Sequence, residues 1–396
     1  MHSLLVALQV ALGGGIATGV ACWLSIAVCS FFFRSFESAP SWPGTPPPVT
    51  LLKPVCGLEK RLALNLRSAC LQDYPEYQVV YSVQRANDPA LPILRDLERE
   101  FGPQLVSVVI ADAIVGLNGK INNLAGALGH ARHELLVISD SDALLRPDFL
   151  ARIVAPLAQP TVGAVSAFFR GCEAYAWYEK IEQLTLNADQ FAVAMLAHAV
   201  GAVDFCFGAS TALSKTTLLE IGGFEGLADF LVEDTEMGRR VAALGKRVVD
   251  IPYVVDLTVD LRGPGAWWKK QTYWDQNTKA AAPLAFAASI VLRIIPLSLL
   301  FAALRGGDAL GAWLVGTAML VRLLAASAVL GVALKDVRGL PALWLLPFKD
   351  VISMVWFVRA FVTRTITWRG TEMSVTRDGR LSSLASKAAL RSEACE

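Results

Sequence analysis

Residues 134–142 read Glu-Leu-Leu-Val-Ile-Ser-Asp-Ser-Asp. Five residues suited to a buried strand run straight into two carboxylates, Asp140 and Asp142, one residue apart. Open α/β sheets bind their ligands at the carboxyl edges of the strands. A pair of hard oxygen ligands there suits Mg²⁺ or Mn²⁺ holding nucleotide phosphates, because these ions accept one or two carboxylates and complete their shells with water and phosphate. Asp-x-Asp alone is a common triplet. Its setting gives it weight: a strand in front, a second acidic pair (Glu233, Asp234) downstream and apolar spans on both sides.

Around this stretch, strand-like runs at 49–55, 78–84, 105–110, 162–169 and 204–213 alternate with helical candidates at 58–72, 89–101, 120–131 and 147–157. That alternation implies an α/β fold with a doubly wound, mostly parallel sheet. The chain has no P-loop, and no Gly-x-Gly-x-x-Gly follows the first strand.

Composition points to a membrane. Hydrophobic residues make up 54% and charged residues 18%, against about 25% charged in ordinary soluble domains. A net charge of +1 gives no reason to expect nucleic acid as a partner. The seven cysteines show no Cys-x-x-Cys spacing and suit reduced residues better than zinc or disulfides.

Residues 4–33 carry no charged side chain and can cross a core of ~30 Å as an uncleaved anchor. Arg34, Lys53, Lys60 and Arg61 follow it, so the positive-inside rule puts the next segment in the cytoplasm. Residues 282–303 and 309–334 are further spans, interrupted by Arg293 and Arg322, which either reach a polar head group or pack between helices. Residues 340–362, with two prolines and several charges, suit a re-entrant or interfacial segment. The resulting layout is an anchor (1–36), a proline-rich linker (37–48), a cytoplasmic catalytic domain (49–264), an interfacial helix (265–281), membrane segments (282–363) and a basic cytoplasmic tail (364–396).

The ordered stretches LLKPVCG (51–57), QDYPEYQVVYSVQRANDPA (72–90), GLNGKINNL (116–124), ISDSD (138–142), GGF (222–224) and VEDTEM (232–237) resemble the ceramide glucosyltransferase family. The kindred bacterial hopanoid-biosynthesis glycosyltransferases share the pattern within the GT-A inverting group. The resemblance implies a UDP-sugar donor, most simply UDP-glucose, with Mn²⁺ or Mg²⁺. It also implies single inverting transfer to a membrane lipid of the ceramide or hopanoid class at a bacterial inner membrane.

By residue, the resemblance makes Asp142 the metal ligand, with Asp140 facing the nucleotide or sugar. Asp88, Lys120 and Asn123 are placed near the donor, although Asp88 also suits a helix cap with Pro89 at its start, and Asn122 and Asn123 suit ordinary capping. Asp234 matches the catalytic base that takes the acceptor proton, with Glu233 orienting it; both also suit a helix start. After Pro264 the family expects Gln or Arg, two residues, then Arg-Trp. The chain has Lys270-Gln271-Thr272-Tyr273-Trp274, so Lys270 and Trp274 match, while Tyr273 replaces an arginine whose forked charge it cannot supply. Lys269, Lys270 or Lys279 would then carry that charge. His130, His133 and His198 lack metal spacing. A processive polysaccharide synthase and a non-catalytic scaffold on a transferase fold are the competing functions.

Overall fold

The computed structural model describes residues 2–33, 42–201, 204–368, 371–376 and 378–383. Arg34, much of the linker, Arg369, Arg377 and residues 384–396 lie outside the described residues. The chain divides into two compact units: residues 36–173, 202–260 and 365–396 form one, and residues 1–35, 174–201 and 261–364 the other.

The first unit is built on β1 (Val49–Pro54), β2 (Tyr77–Val83), β3 (Val106–Ile110), β4 (Leu135–Ser139), β5 (Ala143–Leu144), β6 (Val162–Cys172), β7 (Ser210–Ser214) and β8 (Arg247–Thr258). Their order in the sheet is β3-β2-β1-β4-β7-β6-β8-β5. The strands β3-β2-β1-β4 are parallel, and β7 runs antiparallel to both its neighbours. Alternate residues feed two cores. Leu51, Val79 and Val137 pack with Leu66, Leu94 and Phe149 on one face; Leu52, Val80 and Leu136 pack with Ile121, Leu124 and Val241 on the other. Burial on both faces explains why these strands read as continuous apolar runs. The chain steps outward from β1 to β3 and then returns to β4 on the far side of β1. The carboxyl ends of β1 and β4 therefore flank the reversal point, where such sheets hold ligands.

Several expected elements shift. The strand expected at 204–213 is only Ser210–Ser214, because residues 204–209, with two phenylalanines and Gly208, form a loop. The helix expected over 58–72 shortens to Leu62–Ala69, since Arg61 adopts a left-handed conformation (φ 61°) ahead of it. Where a basic tail is expected, the described residues between 365 and 383 include a three-stranded antiparallel sheet: β9 (Thr365–Trp368), β10 (Thr371–Val375) and β11 (Leu381–Ser383).

Among the described residues of the second unit, two helices are long and apolar enough to cross a membrane, His2–Phe32 and Ala309–Ala333. The span expected at 282–303 is a pair, Pro283–Leu292 and Ile294–Leu304, apolar enough together to cross and bent by 61° between them. Pro296 has no N–H to give the carbonyl of Leu292, and the indole of Trp23 donates to that carbonyl at 2.8 Å. Gly19 allows the approach, since a Cβ there would meet the Val291 oxygen at 1.9 Å. Arg322 packs between helices: it is 1% exposed, lies 3.9 Å from the Trp23 ring centroid, and bonds Asp350 at 2.8 Å and Asp189. Asp189 sits in a π-helical turn (Thr185–Gln190) between the helices Trp177–Leu184 and Phe191–Ala199.

Candidate active site

Lys120 is the hub of a charged cluster in the first unit. Asn118 caps the helix Gly119–Leu128 by accepting from the N–H groups of Lys120 and Ile121, so the cap is neither Asn122 nor Asn123. The ammonium of Lys120 lies 2.8 Å from Asp140 Oδ1 and 3.1 Å from Glu233 Oε1, and donates to Gly208 O at 3.1 Å. Burial alone would lower its pKa; Asp140, Glu233 and Asp234 outweigh that and hold it well above the usual lysine range.

Glu233 and Asp234 open the helix Glu233–Ala243. Glu233 is buried, and its second oxygen accepts from Asn118 Nδ2 at 3.1 Å, so it holds Lys120 and the capping asparagine. Asp234 is half-buried and accepts from the Thr235 N–H at 2.7 Å. Desolvation, then the adjacent Glu233 charge, push its pKa up to about 7 against the pull of Lys120. Gly208 is required beside it, because a Cβ there would stand 2.6 Å from Asp234 Oδ2.

The turn carrying Asp140 and Asp142 is stitched on both flanks. Asp140 N–H donates to Ala209 O, Thr258 N–H donates to Asp142 O, and Asn65 Nδ2 donates to Asp142 O at 3.1 Å. Fully buried Lys53 donates to Ser139 Oγ and Ala143 O, each at 3.3 Å. Burial lowers its pKa to about 8, opposed by the charges of Asp142 and Asp140. No cluster of three or more His, Cys, Asp or Glu ligands occurs among the described residues. The donor set at the turn is thus a carboxylate pair. It fits a hard cation that takes most of its shell from water and phosphate oxygens, and does not fit a closed protein cage.

The remaining expected residues divide. Both carboxylate oxygens of Asp88 accept from the Gly57 N–H at 3.1 Å, and one also accepts from the Ala90 N–H at 2.9 Å, joining the loops after β1 and β2. The helix begins at Leu91, not Pro89, because the Asp88 turn precedes it. Asn123 donates to Val55 O at 3.0 Å, and its Oδ1 is buried without a hydrogen-bond partner among the described residues. Asn122 is consumed by Val115 and Gly116. Lys270 and Trp274 belong to the other unit, on the helix Pro264–Ala281. There Trp274 Nε1 donates to buried Glu182 at 2.8 Å, and the Lys270 ammonium lies 4.9 Å from the Trp274 ring centroid and 5.7 Å from that of Tyr273. Lys279 is already bonded to Ala360 O. Sequence reading missed Lys53, Gly208 and Asn118. Only Asn118 left a signal, as an Asn-Gly pair ahead of an apolar run.

The model of glycosyl transferase family 21 matches residues 14–381. The chain belongs to that family. It is similar to Ceramide glucosyltransferase 1 of Caenorhabditis elegans, at 24% identity over 227 residues, covering 56% of this chain and 48% of that protein. Similarity to the ceramide glucosyltransferase of Komagataella phaffii is 29% over 154 residues, covering 37% and 30%. The chain thus spans half or less of the length of these curated relatives. Among solved structures, the mannosyltransferase PcManGT of Pyrobaculum calidifontis, in complex with GDP-Man and Mn²⁺, superposes with a TM-score of 0.56 at 23% identity, covering 90% of this chain and 98% of that one. That likeness places the family member's fold in the GT-A class.

Proposed function

We propose that this family 21 glycosyltransferase moves one sugar, most simply glucose from UDP-glucose, to the hydroxyl of a membrane lipid such as ceramide, with inversion at C1. The observation that carries the reading is Asp234. Its pKa of about 7 suits a general base at neutral pH, and it stands beside the Lys120–Asp140–Glu233 cluster.

In this reading Asp234 takes the acceptor proton as the hydroxyl oxygen attacks. Glu233 acts indirectly: it anchors Lys120 and keeps the Asp234 pKa high. Lys120 holds Asp140 toward the nucleotide or sugar, and Asp88 fixes the loops after β1 and β2 beside the donor. Asp142 would hold Mn²⁺ or Mg²⁺, which neutralises the leaving diphosphate when bound. Lys53 limits the repulsion between Asp140 and Asp142 from beneath. The basic residues after the first apolar helix support a catalytic unit on the cytoplasmic side of a bacterial inner membrane.

The test is mass spectrometry of lipids from vesicles holding the full chain, UDP-glucose and either ceramide or a hopanoid alcohol, with UDP release followed with and without Mn²⁺. A monohexosyl lipid with Mn²⁺-dependent UDP release is expected. A hopanoid-only product moves the acceptor class, a ladder of hexoses favours a processive synthase, and no product with any lipid leaves the scaffold reading.

A further inference from the structure

The segment just ahead of the acidic pair is held from two sides. From one side, Asn118 N–H donates to Ala228 O at 2.8 Å and Leu117 N–H donates to Asp229 Oδ1 at 3.0 Å. Asn118 Nδ2 donates to Phe230 O at 2.9 Å as well as to Glu233. From the other side come residues far along the chain. Leu231 N–H donates to Gly379 O at 3.0 Å, Leu381 N–H donates to Asp229 O at 2.7 Å, and Phe230 forms an antiparallel bridge with Arg380. The Arg380 guanidinium lies 4.6 Å from the Phe230 ring centroid, and that of Arg240 lies 5.4 Å from it. Met373, Val375 and Leu381 bury the inner side of the hairpin.

The helix that starts at Glu233 has no side-chain cap at its entry. Its cap position is Val232, which makes no side-chain bond to the first turn, so the leading N–H groups depend on other acceptors; Asp234 itself takes that of Thr235. Its first turn also concentrates Glu233, Asp234 and Glu236. The placement of the two acids is therefore set by what grips residues 228–231.

We infer that the hairpin of β10 and β11 is a positioning element for transfer, with Arg380 as its positioning residue, holding residues 229–231 in the register that sets Glu233 on Lys120 and Asp234 beside Gly208. This rests on the role proposed for Asp234. Neither Arg380 nor the hairpin is assigned contact with substrate; they act through the strip.

The experiment uses the full chain in lipid vesicles, as wild type, Arg380→Ala, Arg380→Lys and Gly379→Val; Gly379 has φ +81°, where a β-branched residue is strained. Hydrogen–deuterium exchange is expected to rise across 229–236 in Arg380→Ala and Gly379→Val while β1 to β4 keep wild-type protection. Transfer kcat should fall up to about 10²-fold, the effect of a misplacement near 1 Å, with the donor KM unchanged and partial recovery in Arg380→Lys. Faster exchange confined to residues 372–383 would overturn the inference, as would wild-type kcat in both disrupted variants. Exchange is read without turnover. A wild type that transfers no sugar would sink the role of Asp234, while the exchange data would still decide whether the hairpin holds the strip.

Discussion

Replacing Lys120 by methionine keeps the length of the side chain and removes a cation that touches both Asp140 and Glu233. Breaking a buried pair by removing one partner costs about 3–5 kcal/mol. Lys120 and Glu233 are 18% and 11% exposed, but Asp140 is 32% exposed, so solvent softens the loss toward the lower end. A unit of this size should then melt roughly 6–12 °C lower and still fold. The sharper effect is on Asp234. An opposite charge close by lowers a carboxylate pKa by about 1–3 pH units, and Lys120 supplies such a charge to a group already near 7. Without it Asp234 holds its proton to higher pH. A base works deprotonated, so kcat at pH 7 should fall about 5-fold or more and recover as pH rises. The assay is product formation from pH 6 to 9.5, read by mass spectrometry beside the wild type. An acid limb at the wild-type position in folded Lys120→Met would show that Lys120 does not set the base.

Three further outcomes follow from the geometry. Asp250 is buried, its pKa is raised by desolvation to about 7, and its one bonded partner among the described residues is Ser166. Its folded pKa exceeds the unfolded value, so its favourable term is complete below about pH 4 and is lost as pH climbs through 7, a swing of order 4 kcal/mol. Asp250→Asn should flatten that slope in denaturant melts, and an unchanged slope would discount Asp250. Asp142→Asn should abolish the Mn²⁺ dependence of UDP release while leaving the melting temperature near that of the wild type; unaltered rates at limiting Mn²⁺ would remove Asp142 from the metal. Lys270→Gln should slow transfer roughly 10–100-fold, the value of a charged hydrogen bond, with partial recovery on adding Tyr273→Arg; turnover equal to wild type would show that Lys270 does not replace the missing arginine.

The strands β1 to β4 and the acids after β4 were legible because both sheet faces are buried, which turns each strand into a largely apolar run that stops at the carboxyl edge of the sheet. The helix Glu233–Ala243 was legible from acids concentrated in its first turn. What escaped the sequence has local causes. β8 mixes Asp250, Pro252 and Asp256 into its twelve residues, and its pairing with β6 is broken by register irregularities, so no clean alternation marks it. Lys53 hides inside an apolar strand, where in the sequence its charge counts only toward the basic residues that follow the anchor. Gly208 looked like strand because aromatic residues precede it, yet its lack of a Cβ is what admits Asp234. β9 to β11 are short and rich in polar residues, and their burial depends on contacts with residues some 150 positions earlier. The kink at Arg293 needed Trp23 as the acceptor's partner, which no local pattern announces.

The most direct test of the account is Asp234→Asn, with single-turnover transfer and calorimetric nucleotide binding measured on the same preparation. A positioned general base contributes about 10²–10⁴-fold. The account predicts a kcat lower by that factor, nucleotide affinity equal to wild type, and loss of the acid limb near pH 7. A folded Asp234→Asn protein that transfers sugar at the wild-type rate, or that loses nucleotide binding instead, would contradict it.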